Sequence, residues 1–576
     1  MRQAITAVLV GSVLLLLAAA HAFAGEPRRV VLWGQRVAGA DGSADTAEVV
    51  GIDDRLAPDL LAAKPDAPLR LAEFPLEPGR RAAVTLERRE IYAPGAKVFR
   101  VEAAGPREIP RSRLVFFVGG PDDERDSRVV AAIDPDARTI SGFALTPRGT
   151  FEFGPEGADP RRLLVADLKA RNRALGAEPH WECGAEDLPA APASLFASAA
   201  SSSLQLPAAQ TDAAAAAATT LERATIAVDT DNEWMLKKFN NDQTQATNYL
   251  AQLFAGITAI YERDLSVRML QGTTYLRPST QADPYTQGTG GNASSAELQE
   301  FGTYWTNNYA SVKRALAILF SGKQSSANSS SGIAWVDALC NTSYGYAFDQ
   351  TFTFSGATAA DDVMVAAHEL GHNFGSPHTH CYSPPIDQCY SGESGCYSGA
   401  TSCPAAQTIN GVTNVKGTLM SYCHLLSGCS TSNVFHPRSV SLVSPKVAAQ
   451  VGVCIYPATG AGEASAQGTM KAARGTSGAV TVTYGAACGS SGSTIYAGDL
   501  TTLRSTGVKW TQRACGVGTS GTTSFTPSAA SSYFVIVGND GQFEGSYGRA
   551  SSGVERPAAA AGGSCSYQQL LGTSCP

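Results

Sequence analysis

Residues 362–378 read Asp362-Val363-Met364-Val365-Ala366-Ala367-His368-Glu369-Leu370-Gly371-His372-Asn373-Phe374-Gly375-Ser376-Pro377-His378. Helical spacing puts His368 and His372 one turn apart on one face, where both can aim an imidazole nitrogen at a single ion. Glu369 lies beside them but is rotated away, which suits a group that handles water next to the ion rather than one that binds it. Gly375 is expected to stop the helix, since a residue without Cβ turns the chain at low steric cost, and His378 then returns as a third ligand. Three neutral imidazoles leave the fourth zinc position open, the arrangement of a catalytic rather than a structural site. The predicted chemistry is hydrolysis with Glu369 as general base toward a zinc-activated water. Packing or capping alone would account for two histidines on a helix, but not for the Glu, the Gly and the third His at this spacing.

Downstream stands Gly417-Thr418-Leu419-Met420-Ser421-Tyr422-Cys423. A His-Glu-x-x-His-x-x-Gly-x-x-His stretch followed by such a methionine turn resembles the metzincin metallopeptidases. With its leader, β-rich propeptide-like segment and cysteine-rich insertion, the chain is most similar to bacterial secreted members of the reprolysin (adamalysin-like) branch, over about Glu222 to Tyr456. The resemblance implies an α/β (α+β) catalytic domain with a mixed sheet and an active-site helix. It implies one zinc on His368, His372 and His378, catalysis by Glu369, and Met420 beneath the metal. It also implies an edge strand that binds extended protein or peptide substrate backbone to backbone, for which Gly332–Asp337 is the candidate. Thr379 follows the third histidine where reprolysins usually carry Asp, which leaves the subfamily open. Tyr422 resembles the turn tyrosine of serralysins and astacins, which implies a hydrogen bond to the oxyanion; a tyrosine that only packs is the alternative. His380 and His424 are expected to pack or to sit at the surface, and His436 is given no role.

Composition bounds the rest. The chain has 576 residues, a formal charge of -7, 44% hydrophobic and only 16% charged residues, with 57 Gly. No basic stripe offers itself to phosphates, so nucleic acid is not an expected partner. Met1-Arg2-Gln3, the apolar run Ala4 to Ala20 and Ala22-Phe23-Ala24 read as a signal peptide over 1–24, so the protein is expected to be secreted, extracellular or periplasmic in transit, with no membrane association after cleavage. More than half of the 44 Lys and Arg fall in the first 200 residues, where short β-like stretches such as Arg29 to Trp33, Leu114 to Val118 and Thr150 to Phe153 alternate with turns. Residues 25–188 are therefore expected to form a β-rich propeptide. Residues 189–221, rich in Ala, Ser and Pro, are expected to be a linker carrying the activation cleavage. The catalytic domain is placed at 222–456 and a small β-sandwich-like module at 457–576. Within the catalytic segment, Ala224 to Asp229, Leu265 to Leu276 and Ala315 to Phe320 read as strands, and Thr244 to Tyr261 and Ala296 to Tyr309 as helices.

The thirteen cysteines divide by segment. Cys340, Cys381, Cys389, Cys396, Cys403, Cys423, Cys429 and Cys454 fall in the catalytic unit, and Cys488, Cys515, Cys565 and Cys575 in the C-terminal module, both even sets suited to disulfides in an oxidising compartment. Cys183, in Trp181-Glu182-Cys183-Gly184, is left over. A thiolate is a strong zinc ligand, and Cys183 could occupy the open fourth position and silence a precursor. The setting resembles the cysteine switch of reprolysin and matrix-metallopeptidase propeptides; a stray thiol is the alternative. The combined reading is a secreted zinc endopeptidase made as a zymogen. The alternatives are a non-catalytic zinc-containing secreted binding or adhesion protein, or a zinc amidase acting on a non-protein substrate. Bound calcium, cleavage preference and disulfide connectivity are not readable, and a monomer is the default expectation.

Overall fold

The computed structural model describes residues 28–571 apart from 38–45, 64–67, 125–126, 186–187, 189–220, 289, 459, 463, 465–469, 542, 551–554 and 560–566. The expected leader over 1–24, the linker over 189–220, and Cys565 and Cys575 lie outside the described residues.

A mixed sheet carries the histidine motif. Its middle runs in the order Tyr346–Gln350, Leu316–Ser321, Glu222–Thr230, Val267–Leu276, all parallel. Leu316–Ser321 is buried at every position, as a continuous apolar strand covered on both faces should be. Ser329–Ala334 adds antiparallel to Tyr346–Gln350. This strand corrects the expected span of Gly332–Asp337: it begins three residues earlier, and Asp337 lies beyond it at φ 60°. Ser329, Ser330 and Ser331 are buried without being apolar, so hydrophobic patterning does not reveal them.

The helix Gln243–Leu265 starts at Asp242, whose side chain accepts from the Thr244 and Gln245 amides at 2.8 and 3.1 Å. Every residue from Leu253 to Tyr261 along it is buried, and a helix apolar on all sides must be covered on all sides. The sheet just described covers one side and the helix Ala359–Asn373, which bears the motif, another. A second sheet of ten strands covers the third.

That second sheet is built from residues 28–167, in the order Arg28–Arg29, Leu69–Glu77, Arg80–Arg89, Val115–Pro121, Arg128–Ile133, Ile140–Thr146, Gly149–Pro155, Arg162–Asp167, Ala47–Ile52, Val31–Val37. Its central strands are buried on both faces, with side chains alternating between them, whereas the edge strand Val31–Val37 is mostly exposed. Val129, Ala131 and Ile133 pack with Leu56 and Leu60 of the short helix Leu56–Ala62. Val130 and Ala132 point the other way, into the core that contains the long helix. Two pieces of this N-terminal region leave it for the mixed sheet. The hairpin Val98–Glu102 and Gly105–Ile109 pairs in parallel beside Val267–Leu276, and His180–Cys183 pairs in parallel beside Ser329–Ala334.

Toward the C-terminus, a three-stranded sheet (Lys471–Arg474, Val480–Tyr484, Gly521–Phe525) and a five-stranded one built around Gly492–Asp499 and Ser532–Asn539 share a small core of Val482, Tyr484, Phe525, Ile495, Ala497 and Ile536. Arg223, in the central strand Glu222–Thr230, reaches across to Asp540 in a buried pair at 2.7 Å.

Four disulfides fall within residues 340–454: Cys340–Cys454, Cys381–Cys396, Cys389–Cys423 and Cys403–Cys429. Cys488 and Cys515 are also disulfide-bonded. Among the described residues Cys183 is the free cysteine, and no helix is long and apolar enough to cross a membrane.

At the C-terminal end of Glu222–Thr230, Asp229 is fully buried. Its two oxygens take Arg277 at 2.8 and 2.8 Å, the Tyr285 hydroxyl at 2.6 Å and the Trp305 indole N–H at 2.8 Å. Removing the carboxylate would strand a buried guanidinium. Asp229→Ala is therefore expected to lower unfolding free energy by about 3–5 kcal/mol, read as a shifted urea midpoint with unchanged slope.

Candidate metal centre

The helix Ala359–Asn373 opens on reciprocal capping, with the Thr358 amide donating to Asp361 at 2.8 Å. It ends where Asn373 donates its side-chain amide to the carbonyls of Trp335 and Tyr346 at 2.8 and 3.0 Å. Gly375 follows at φ 102°, and a Cβ there would meet Lys446 Nζ at 2.4 Å. The chain can therefore reverse toward His378 only through a residue without a side chain.

His368, His372, His378 and Cys183 place four ligand atoms within 4.8 Å of one another, all buried. Each imidazole is oriented from behind. His368 Nδ1 lies 2.7 Å from the Leu419 carbonyl, His372 Nδ1 2.8 Å from the Ser376 carbonyl, and His378 Nδ1 2.7 Å from the Glu393 carboxylate. Because each partner is an acceptor, each Nδ1 carries the proton and each Nε2 presents a lone pair inward. The Nε2 atoms stand 3.1, 3.1 and 3.4 Å apart, and Cys183 Sγ is 3.5 Å from His372 Nε2.

Three lone pairs facing one another at these distances repel unless a cation lies between them. Tetrahedral zinc with Zn–N of ~2.0–2.1 Å and Zn–S of ~2.3 Å sets its corners roughly 3.3 Å apart for two nitrogens and roughly 3.6 Å for nitrogen and sulfur. The donor set therefore fits zinc in chemistry and in size. Burial, followed by the neighbouring imidazoles, holds His368 well below the usual histidine range and pushes His372 down to about 3, so both present the neutral form a metal needs. Burial and then Glu369 push the Cys183 thiol up; a thiolate at that corner needs a cation's charge to exist.

Around this centre the close contacts are specific. A Cβ on Gly371 would meet Met420 Sδ at 2.6 Å, which explains how the methionine turn packs directly beneath the helix. A Cβ on Gly332 would meet Glu369 Cγ at 2.3 Å, so the edge strand can lie over Glu369 only with glycine there. Glu369 is fully buried with its Oε2 3.7 Å from Cys183 Sγ, its Oε1 has no hydrogen-bond partner, and burial pushes its carboxyl well up. The Tyr422 hydroxyl donates to the Cys183 carbonyl at 2.7 Å, and its ring lies 4.4 Å from that of His378. Thr379 meets the methionine turn through its amide and its hydroxyl, both donating to the Met420 carbonyl at 3.0 and 3.2 Å.

Sequence reading missed two contributors, Glu393 and Trp181. Glu393 accepts from both His378 Nδ1 and His380 Nε2, at 2.7 and 2.8 Å, and these bonds hold its carboxyl well below the usual range although burial opposes them. It sits inside the loop closed by Cys381–Cys396, and without that pairing its spacing from His378 carries no signal. Trp181 stacks on His424 at 4.0 Å and meets His368 edge-on at 5.1 Å, while His424 Nε2 lies 3.0 Å from the Trp181 carbonyl. His424 thus packs, as expected, but against the segment that carries Cys183. His380 also packs, behind His378, and His436 caps the helix Pro437–Ala449 by accepting from the Arg438 amide.

Mixed sheet, motif helix, methionine turn and three converging imidazoles together make a candidate metal centre. Residues 220–424 match the family model Reprolysin_5, described as Metallo-peptidase family M12. Over these residues the chain is similar to the reprolysin-like metallopeptidases, while the match leaves the N-terminal sheet and the C-terminal strands outside it. No curated protein matches the chain. Among solved structures, the crystal structure of wild-type OgpA from Akkermansia muciniphila is 13% identical, with 55% of this chain and 84% of that chain covered and a TM-score of 0.19, a likeness that carries no weight for fold or function.

Glu393 orients His378 through its Nδ1, and losing such a partner typically weakens metal binding 10–100-fold. Glu393→Ala is expected to raise the zinc dissociation constant by about that factor in competition with a chromophoric chelator, and Glu393→Gln to recover part of the loss.

Proposed function

We propose that the chain is a secreted zinc endopeptidase made as a zymogen, with Glu369 as general base and residues 180–185 as a strap across the cleft. The observation that carries this reading is the convergence of three oriented imidazoles beside a buried carboxylate with one unpartnered oxygen, Glu369 Oε1. His368, His372 and His378 would hold zinc, which would supply the Lewis acidity needed to polarise a carbonyl and acidify a water. Glu369, packed against Gly332, takes the proton of the attacking water and passes it to the leaving amine nitrogen. An extended peptide pairs with the free edge of Ser329–Ala334, which holds the scissile bond over Glu369. The Tyr422 hydroxyl already binds one peptide carbonyl, that of Cys183, and serves in catalysis as a donor to the developing oxyanion.

In the precursor, His180–Cys183 occupies that edge, with the Gly184 amide donating to the Gly332 carbonyl at 2.7 Å. Strand pairing, the Cys183 sulfur, which would be the fourth ligand of a bound zinc, and the stacked Trp181 together exclude substrate. The expected signal peptide and the disulfides support secretion, and the linker over 189–220 is the proposed site of activating cleavage. A binding protein that keeps zinc as structure would not need the buried Glu369 or the occupied edge.

With the processed enzyme and a quenched fluorescent peptide, Glu369→Ala is expected to lower kcat on the order of 10²–10⁴-fold and Tyr422→Phe on the order of 10²-fold, each with little change in zinc content. Turnover surviving the Glu369 change contradicts the mechanism. In the uncut precursor, Cys183→Ser is expected to release peptidase activity, and Trp181→Ala added to it to release more, because the stacking contact then goes as well. A double variant as silent as the native precursor contradicts the strap.

A further inference from the structure

We infer that the N-terminal ten-stranded unit, residues 28–174, remains a non-covalent subunit of the metallopeptidase after the chain is cut within 189–220, so that only the strap moves to open the cleft. The inference rests on the reading of 180–185 as that strap.

The long helix Gln243–Leu265 lies between the two sheets, and its unbroken buried run from Leu253 to Tyr261 has no solvent side. Phe116, Val118, Val130, Phe143 and Leu145 of the N-terminal sheet belong to the same buried core as Leu253, Ile257 and Ile260 of that helix. At Gly256 the approach is closest: a Cβ there would meet Phe143 Cζ at 2.7 Å and Val363 Cγ2 of the motif helix at 2.6 Å. Removing the N-terminal unit would expose a contiguous apolar helix face directly behind the zinc ligands. Soluble proteins rarely leave such a face open.

The same unit also closes an edge of the catalytic sheet. Gln271 exchanges backbone bonds with the N-terminal segment, its amide donating to Ile91 and its carbonyl accepting from Ala93, both at 2.8 Å, and the Thr274 amide donates to Lys97 at 2.8 Å. Departure would leave an open strand edge. Polar contacts add to this. Ser112 Oγ donates to Asn248 at 2.7 Å, and Asn172 donates to Asp361 at 2.6 Å, the carboxylate that caps the motif helix. The strap is of another kind: four paired residues, one thiol and one indole, all at the cleft, joined to the unit through the turn at Leu175 and Gly176, which is exposed. A large apolar interface that shares one core behaves as an obligate contact, whereas a short strand on an edge can exchange.

The test uses the full chain with residues 205–211 replaced by the recognition sequence of a site-specific protease. After complete cutting, size-exclusion chromatography at about 100 nM with intact-mass detection is expected to give one species holding both fragments in equal amount. The same result is expected for the cut chain carrying Trp181→Ala and Cys183→Ser, since the strap is not what holds the units together. Two separated peaks, each folded by circular dichroism, overturn the inference, as does loss of co-elution in the strap variant alone. In wild type the measurement needs no substitution inside either unit. It also needs no peptidase turnover, so an inactive protein that co-elutes would defeat the functional reading and leave this one standing.

Discussion

The site depends on what lies behind the imidazoles. Three histidines can be drawn near a point by any helix and turn, but a shared metal requires their lone pairs to point inward together. Here the Leu419 and Ser376 carbonyls and the Glu393 carboxylate fix the Nδ1 protons from three directions. Much of the catalytic fold serves those three acceptors. The methionine turn delivers Leu419 from below, the Gly375 reversal delivers Ser376, and the Cys381–Cys396 loop delivers Glu393. Two glycines set the layers: Gly371 admits Met420 under the helix, and Gly332 admits the edge strand above Glu369.

The motif was legible because its chemistry and its helical period coincide. His368, Glu369, His372, Gly375 and His378 each have a reason for their type at their spacing, and the structure puts the helix and its reversal where that spacing requires. The central strands and the long helix were legible for the simpler reason that buried apolar runs show in the sequence. What could not be read was pairing at a distance. The edge strand starts at Ser329 because the segment at 180–183 and the strand at 346–350 cover it, so serines can be buried there. Glu393 is invisible until a disulfide loop brings it back to His378. Thr379 stands where a carboxylate was expected and meets the same turn through an amide and a hydroxyl, which no propensity anticipates.

The N-terminal region was read as one β-rich segment and is more than that. It forms its own sheet, lends a hairpin to one edge of the catalytic sheet and lays a strand on the other. The two loans differ physically. The hairpin is backed by a core that includes Phe143 and Ile257, whereas the strand at 180–183 is held at the cleft by pairing, a thiol and an indole. On the proposed reading, inhibition and structural support would reside in separable parts of one segment. The C-terminal strands are tied to the start of the central strand by the buried Arg223–Asp540 pair, and nothing in their core reaches the metal centre.

The central claim is a four-cornered site made of three nitrogens and one sulfur from this chain. Zinc K-edge X-ray absorption on the uncut, zinc-loaded protein reads it directly. The account predicts three nitrogen neighbours at ~2.0–2.1 Å and one sulfur at ~2.3 Å, with the sulfur replaced by a light atom in Cys183→Ser. A wild-type spectrum containing only nitrogen and oxygen neighbours would contradict it.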